Sequence, residues 1–373
     1  MAGKAVLTAS KPLSSGSISR FAWGLLGYNL LVILWGVFVR ASGSGAGCGG
    51  HWPTCNGQII PASPQMNTII EFTHRVTSGL TLVLSIIFVL WAWKVYPKGS
   101  WIRLFSALAL VFTLTEAIIG AVLVLFGLVA TNDSIARAAT VSLHLVNTLL
   151  LLGSLSLAAW YGSFGNSPDG KMDAPETNTG GLKSPNGNGY LDTRAEIMGG
   201  HPVDPQELRS SAKFQHRLRL LLAISLVGIL LLSVTGTVTA LGDTLFPANS
   251  LAEGLKQDIS PLSSFLIRLR VIHPILAVIF AIYSAALVFW IRSRTAISKV
   301  YNLANLLLML LLCQLALGAT NVLLLAPVWL QLVHLLTADL VWIVLVLFSA
   351  PFFQLDASNR AYAFTRMSTS RSN

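Results

Sequence analysis

A glutamate, a histidine and an arginine stand together in the run Ile70-Glu71-Phe72-Thr73-His74-Arg75. The carboxylate stands three residues before the imidazole, so both fall on one face of a helix, with the arginine beside them. The chain has 7 histidines, and three more of them, His144, His273 and His334, also lie in apolar stretches. Ionisable groups are costly in apolar surroundings and are usually kept there for a use. Imidazoles so placed suit proton transfer or the ligation of a transition metal.

The elements that carry these residues are apolar segments near 21–40, 70–93, 103–130, 137–161, 218–241, 267–291, 300–325 and 329–350. Each reaches the roughly 20 residues that a helix needs to cross the hydrocarbon core. With 54% hydrophobic and only 11% charged residues, the chain reads as an all-α integral membrane protein with eight transmembrane helices. Its net charge of +10 does not mean nucleic acid. With the N-terminus inside, 19 of the 25 Lys and Arg fall on the inner side, leaving Arg40, Arg75, Arg137, Lys256, Arg268 and Arg270 outside. The positive-inside rule then puts both termini in the cytoplasm. The basic, serine-containing first residues resemble a transit peptide weakly, and a cytoplasmic tail explains them equally well.

Residues 162–216 are rich in Gly, Pro, Asn and Ser and read as a cytoplasmic linker. It separates two four-helix bundles, 1–161 and 217–355, with 356–373 as a cytoplasmic tail. The halves resemble one another. Gly36-Val37-Phe38-Val39-Arg40 matches Gly236-Thr237-Val238-Thr239-Ala240, His74 matches His273, Glu116-Ala117-Ile118-Ile119-Gly120 matches Gln314-Leu315-Ala316-Leu317-Gly318, and His144 matches His334. Four helices per copy give both copies one orientation, a parallel repeat.

Spans 2, 4, 6 and 8 therefore run the same way, each with its histidine roughly 8–12 Å below the outer end at 1.5 Å per residue. Haem iron takes axial histidines from facing helices, and a four-helix bundle offers a slot for a flat macrocycle. Two porphyrin sites follow, His74 with His144 and His273 with His334. Arg40, Arg75, Arg268 and Arg270 lie at the outer ends, where propionates need cations and where interface anchors also belong. The halves differ at the chemistry: Glu71 stands one turn before His74, but Arg270 stands one turn before His273. The first half thus reads as the reaction site, and the second as the permanent cofactor site. Glu116 and Asp339 are further intramembrane acids, read as hydrogen-bond partners of a neighbour such as a histidine rather than as proton relays.

The outer loop after span 1, Gly43-Ser44-Gly45-Ala46-Gly47-Cys48-Gly49-Gly50-His51-Trp52-Pro53-Thr54-Cys55, holds two cysteines on the oxidising side. They can close a disulfide staple or serve a redox role; a zinc site with His51 lacks a fourth ligand. Cys313, alone in span 7, reads as buried packing. His51, His201 and His216 fall in loops and carry no assigned role.

That loop, the run Ile69-Ile70-Glu71-Phe72-Thr73-His74-Arg75 and the later histidines resemble the haem A synthase family, in its cysteine-bearing prokaryotic branch, across all eight spans. The resemblance implies an oxidoreductase acting on a CH group, converting haem O to haem A by oxidising a ring methyl to formyl for terminal oxidases. It implies that His74 and His144 hold substrate haem O in the first bundle and that His273 and His334 ligate a haem b cofactor in the second. Glu71 is then needed for catalysis, and Cys48 pairs with Cys55. Some relatives carry a second cysteine pair between spans 5 and 6; residues 242–266 contain no cysteine here, which removes a constraint from that half. Expected partners are haem O, haem O synthase, terminal oxidase assembly factors and lipid of the cytoplasmic (inner) membrane, with room for a homo-oligomer. The competing class is a dihaem b-type cytochrome passing electrons from quinol, which explains the histidines but not the placing of Glu71 and the cysteine loop in one half only. A haem transporter would want a through-path, whereas the polar residues gather on the outer side.

Overall fold

The computed structural model describes residues 15–62, 64–163, 205–260, 263–293 and 298–369. Most of the stretch read as a linker, with His201, lies outside them. Among the described residues eight helices are long and apolar enough to cross a membrane. In chain order the helices are α1 (Ser15–Ala41), α2 (Met66–Val95), α3 (Trp101–Leu125), α4 (Ile135–Ser163), α5 (Pro205–Leu245), α6 (Leu251–Ile259), α7 (Phe265–Arg270), α8 (Ile272–Arg292), α9 (Ser298–Leu323) and α10 (Val328–Thr369). Every expected span is present, span 6 being α7 with α8. The chain separates into two compact units, residues 1–166 with 225–348 and residues 167–224 with 349–373. All the candidate site residues lie in the first. Within the second, Arg219 donates to the Phe352 carbonyl at 3.0 Å.

In lipid, small polar groups pin helices together where the hydrophobic effect gives no preference. The first four helices close a ring this way. Tyr28 of α1 donates to the Thr77 carbonyl of α2 at 2.9 Å, and Ser85 of α2 meets Thr113 of α3 at 3.3 Å. Asn147 of α4 donates to the Phe112 carbonyl of α3 at 2.9 Å, and Ser19 of α1 donates to the Ala159 carbonyl of α4 at 3.1 Å. Spans 4 and 8 are the central ones, 61% and 56% buried against 33% or less for the others. They join through Trp342, whose indole N–H donates to the Leu149 carbonyl at 2.5 Å while the ring lies against Gly153. Near the ends of spans 4, 5 and 6 that carry the loops, Ala138, Leu241 and Leu266 form a small core with Val238, Leu245, Phe246 and Phe265.

Four boundaries differ from expectation, each for a local reason. Span 3 ends at Leu125 rather than 130, because Gly127, at φ 62°, closes a Schellman motif with Leu128 N–H on the Leu123 carbonyl and Gly127 N–H on the Val124 carbonyl. Span 6 breaks at Val271, since Pro274 has no N–H to give the Arg270 carbonyl. Span 5 begins at Pro205, within the stretch read as linker, Pro being well suited to a first helical turn. Span 8 runs on as helix to Thr369, past residue 355.

The loop after α1 folds against the head of α2. Cys48 and Cys55 are disulfide-bonded with Cα atoms 4.4 Å apart, so the staple forms and no thiolate remains for a zinc site with His51. A Cβ on Gly47 would sit 2.3 Å from the Asn67 carbonyl oxygen, so only glycine permits this approach. Thr68 Oγ1 donates to the Gly47 carbonyl at 2.7 Å.

Candidate haem-ligand site

The four histidines are half-buried, and three lie against glycine of a neighbouring span. A Cβ on Gly36 would stand 2.8 Å from His74 Cε1, one on Gly236 would stand 2.9 Å from His273 Cε1, and one on Gly318 would stand 3.3 Å from His334 Cε1. These glycines leave room for imidazole rings between helices. The same glycine-to-histidine contact recurs between Gly36 and His74 and between Gly236 and His273.

Three of the rings have distinct polar partners. His144 Nδ1 meets Glu116 Oε2 as an ion pair, and Thr148 Oγ1 donates to Glu116 Oε1 at 2.7 Å. His273 Nδ1 lies 3.0 Å from Thr235 Oγ1. His334 Nε2 lies 3.3 Å from the Gln314 amide nitrogen. The Nδ1 atoms of His74 and His334 are buried without a hydrogen-bond partner, a costly state for a polar atom. Glycine cradles and imidazole nitrogens unclaimed by the protein fit ligation of a porphyrin iron between facing spans. Among the described residues no group of three or more His, Cys, Asp or Glu comes together to hold a bare metal ion.

Glu71 is buried and serves the loop. Its Oε2 accepts the Cys48 backbone N–H at 2.8 Å, and its Oε1 takes Arg75 Nη2 at 2.5 Å and Nε at 3.2 Å. Arg75 Nη1 then donates to the carbonyls of His51 and Thr54, each at 2.7 Å. Carboxylate, guanidinium and disulfide loop form one bonded assembly, one turn outward from His74.

In the second half Arg270 takes the place of Glu71 and clasps its own loop with reversed charge. It pairs with Asp243 at 3.0 Å and with Asp258 at 2.6 Å, tying the end of α5 to α6 and α7. The constraint that a second cysteine pair would give is supplied here by ions. Arg40 reaches from α1 to Thr244 at 3.4 Å and to Gln331 at 3.3 Å, while Arg268 is exposed.

Two expectations need correction. Asp339 is buried, yet neither of its oxygens has a hydrogen-bond partner, so it does not bond a histidine as Glu116 does. Cys313 is exposed rather than buried, on an apolar span whose lipid-facing and protein-facing sides have the same chemistry. Sequence reading missed Thr235, Thr148 and Gln331 as partners. Thr235 carries a signal, since it precedes Gly236 in the repeated segment.

A helical membrane protein that seats histidines of alternate spans against glycines of neighbouring spans belongs to a class suited to holding porphyrins. More narrowly, the chain belongs to the COX15-CtaA family of cytochrome oxidase assembly proteins, whose profile matches residues 19–181 and 196–346, and so to the haem A synthase family. A Thermus thermophilus protein named Protoheme IX farnesyltransferase is 41% identical over 332 residues, covering 88% of this chain and 47% of that protein. Heme A synthase of Alkalihalophilus pseudofirmus is 41% identical over 98 residues, 26% of this chain and 33% of its own length. Heme A synthase of Halalkalibacterium halodurans is 34% identical over 124 residues, 32% and 42% of the two chains. The matched stretches thus span about half or less of these relatives.

Proposed function

We propose that the chain is a haem A synthase, an oxidoreductase that converts the ring methyl of haem O to a formyl group for terminal oxidases. The reaction is a net four-electron oxidation of one carbon, through an alcohol and a geminal diol: in net balance the methyl and one water give the formyl, four protons and four electrons, and the electrons pass to an acceptor outside the chain. His74 and His144 hold the iron of the substrate, and His273 and His334 hold a haem b, which when bound supplies one-electron redox chemistry. Arg40 and Arg268 take propionates, with Arg75 and Arg270 setting the loops above. The observation that carries the reading is the asymmetry around matched histidine pairs: only the first pair has a buried carboxylate, Glu71, bonded to a disulfide loop.

In this reading the two bundles are a parallel repeat in the cytoplasmic membrane with both termini inside, the disulfide loop facing the oxidising side. Haem O synthase is the nearest partner, supported by the Thermus thermophilus relative whose name denotes farnesyl transfer to protohaem, the class of reaction that yields haem O. Oxidase assembly factors are the partners downstream.

A second reading, a dihaem b-type cytochrome passing electrons from quinol, draws support from the like contacts of Gly36 with His74 and Gly236 with His273. Expression in a membrane that makes haem O but no haem A, followed by haem extraction, chromatography and mass detection, separates the two. The formyl product, lost in Glu71→Ala, supports the synthase. Haem b alone despite available haem O overturns it in favour of the cytochrome.

A further inference from the structure

The last histidine of each pair is treated differently in the two halves. His144 Nδ1 faces the Glu116 carboxylate, which Thr148 anchors from the other oxygen at 2.7 Å. His334 has no such partner: its Nδ1 is without a hydrogen bond, and the neutral Gln314 amide lies instead 3.3 Å from its Nε2. Thr148 stands four residues after His144, and the residue four after His334 is Ala338, which has no hydroxyl to fix a carboxylate. The charge and its anchor are thus both present at one site and both missing at the other. His273 has only the Thr235 hydroxyl at Nδ1, and His74 Nδ1 has no hydrogen-bond partner. Among the described residues, His144 alone of the four contacts a carboxylate.

A carboxylate that accepts the Nδ1 proton gives the ring imidazolate character and makes its other nitrogen a stronger donor to a metal. Stronger axial donation favours ferric over ferrous iron, and hydrogen bonding around the ligands is a main lever on haem potential. An amide does this far less, because it carries no charge. Glu116 is 16% exposed and His144 31%, so the interaction is only partly screened.

We propose that Glu116 is a positioning residue that, through His144, sets the substrate iron at a lower reduction potential than the cofactor iron, whose ligand His334 has no carboxylate at Nδ1. The proposal rests on the ligand pairs assigned above. It gives the substrate site a preference for ferric haem O that the cofactor site lacks, without any difference in the ligating atoms.

The test uses the full chain in detergent, loaded with haem O and haem b and titrated anaerobically by absorbance. Glu116→Gln is expected to raise the ferrous-to-ferric ratio of the haem O iron about tenfold at fixed potential, a midpoint shift of about 59 mV for one electron, leaving the haem b midpoint in place. Thr148→Ala, which keeps the carboxylate but frees it, moves the haem O midpoint in the direction of Glu116→Gln by less. A purely structural role would lower thermal stability and leave both midpoints unmoved, and that result overturns the proposal. Should Glu116→Gln hold no haem O, Thr148→Ala decides alone, an unmoved haem O midpoint being the overturning result. If His144→Ala leaves the haem O spectrum unchanged, it is the ligand assignment that fails.

Discussion

The backbone N–H of Cys48 donates to Glu71 Oε2 at 2.8 Å, so the carboxylate that heads span 2 is held by the disulfide loop rather than by the imidazole one turn deeper. Arg75 completes the link through Glu71 Oε1 and the carbonyls of His51 and Thr54. Any displacement of the loop is thereby felt at the head of the helix that carries His74.

Glu71 substitutions should separate loop order from haem ligation. Glu71→Gln keeps an acceptor for the Cys48 N–H but loses the charge facing Arg75, whereas Glu71→Ala loses both. We expect haem content near wild type in each, formyl production abolished, and faster reduction of the Cys48–Cys55 bond by added thiol in Glu71→Ala than in Glu71→Gln. The lost charged hydrogen bonds are worth about 1.5–3 kcal/mol. Normal haem A in Glu71→Gln would show that the charge is dispensable.

Gly36 and Gly236 give a paired test of the two sites. An alanine Cβ would lie 2.8 Å from His74 Cε1 or 2.9 Å from His273 Cε1, inside van der Waals contact, so the ring must turn. Gly36→Ala should weaken the haem held by His74 by about tenfold or more and spare the other; Gly236→Ala should do the reverse. Haem stoichiometry by pyridine haemochrome with separation of haem types reads both. Equal loss of both haems from either variant would deny that the sites are separate.

Much of this was legible because membrane spans are written in length and hydropathy, and because His74, His144, His273 and His334 are rare residues in apolar segments. Glu116 was legible as an acid facing a histidine for the same reason. The partner of Glu71 was not, since a backbone N–H in a glycine-rich loop leaves no trace in residue type. Nor was the end of span 7. Gly127 announces the left-handed turn that ends span 3, but the like turn after span 7 puts Leu325 at φ 58°, with Ala326 N–H on the Asn321 carbonyl. That conformation costs about 1–2 kcal/mol for a non-glycine residue, and the chain bears it just before Pro327. The exposure of Cys313 was hidden because lipid and protein core select the same residues.

Arg270 should be a stability determinant of the second half. Its guanidinium, 15% exposed, holds Asp243 and Asp258, and removing it leaves two half-buried carboxylates without their counterion. Arg270→Met should cost roughly 3 kcal/mol, read as a lower melting temperature, with the first site's haem retained. A triple variant that also carries Asp243→Asn and Asp258→Asn should recover part of the loss, because the unpaired charges are then gone. No recovery would mean that Arg270 acts by packing alone.

The histidine pairs make the strongest prediction, because each assigns two residues from different spans to one iron. His273→Ala and His334→Ala should each remove the same low-spin haem b spectrum, and the double variant should lose no more than either single one. His74→Ala and His144→Ala should behave likewise for haem O while leaving haem b in place. Non-additivity within a pair and additivity between pairs is the signature of two bis-histidine irons, since residues that act as one unit do not add and distant independent ones do. Removal of one axial ligand with the other intact leaves a five-coordinate iron, seen as conversion from low to high spin where the haem is retained. An unchanged haem b spectrum in His334→Ala would break the pairing with His273 directly, whatever the activity of the variant.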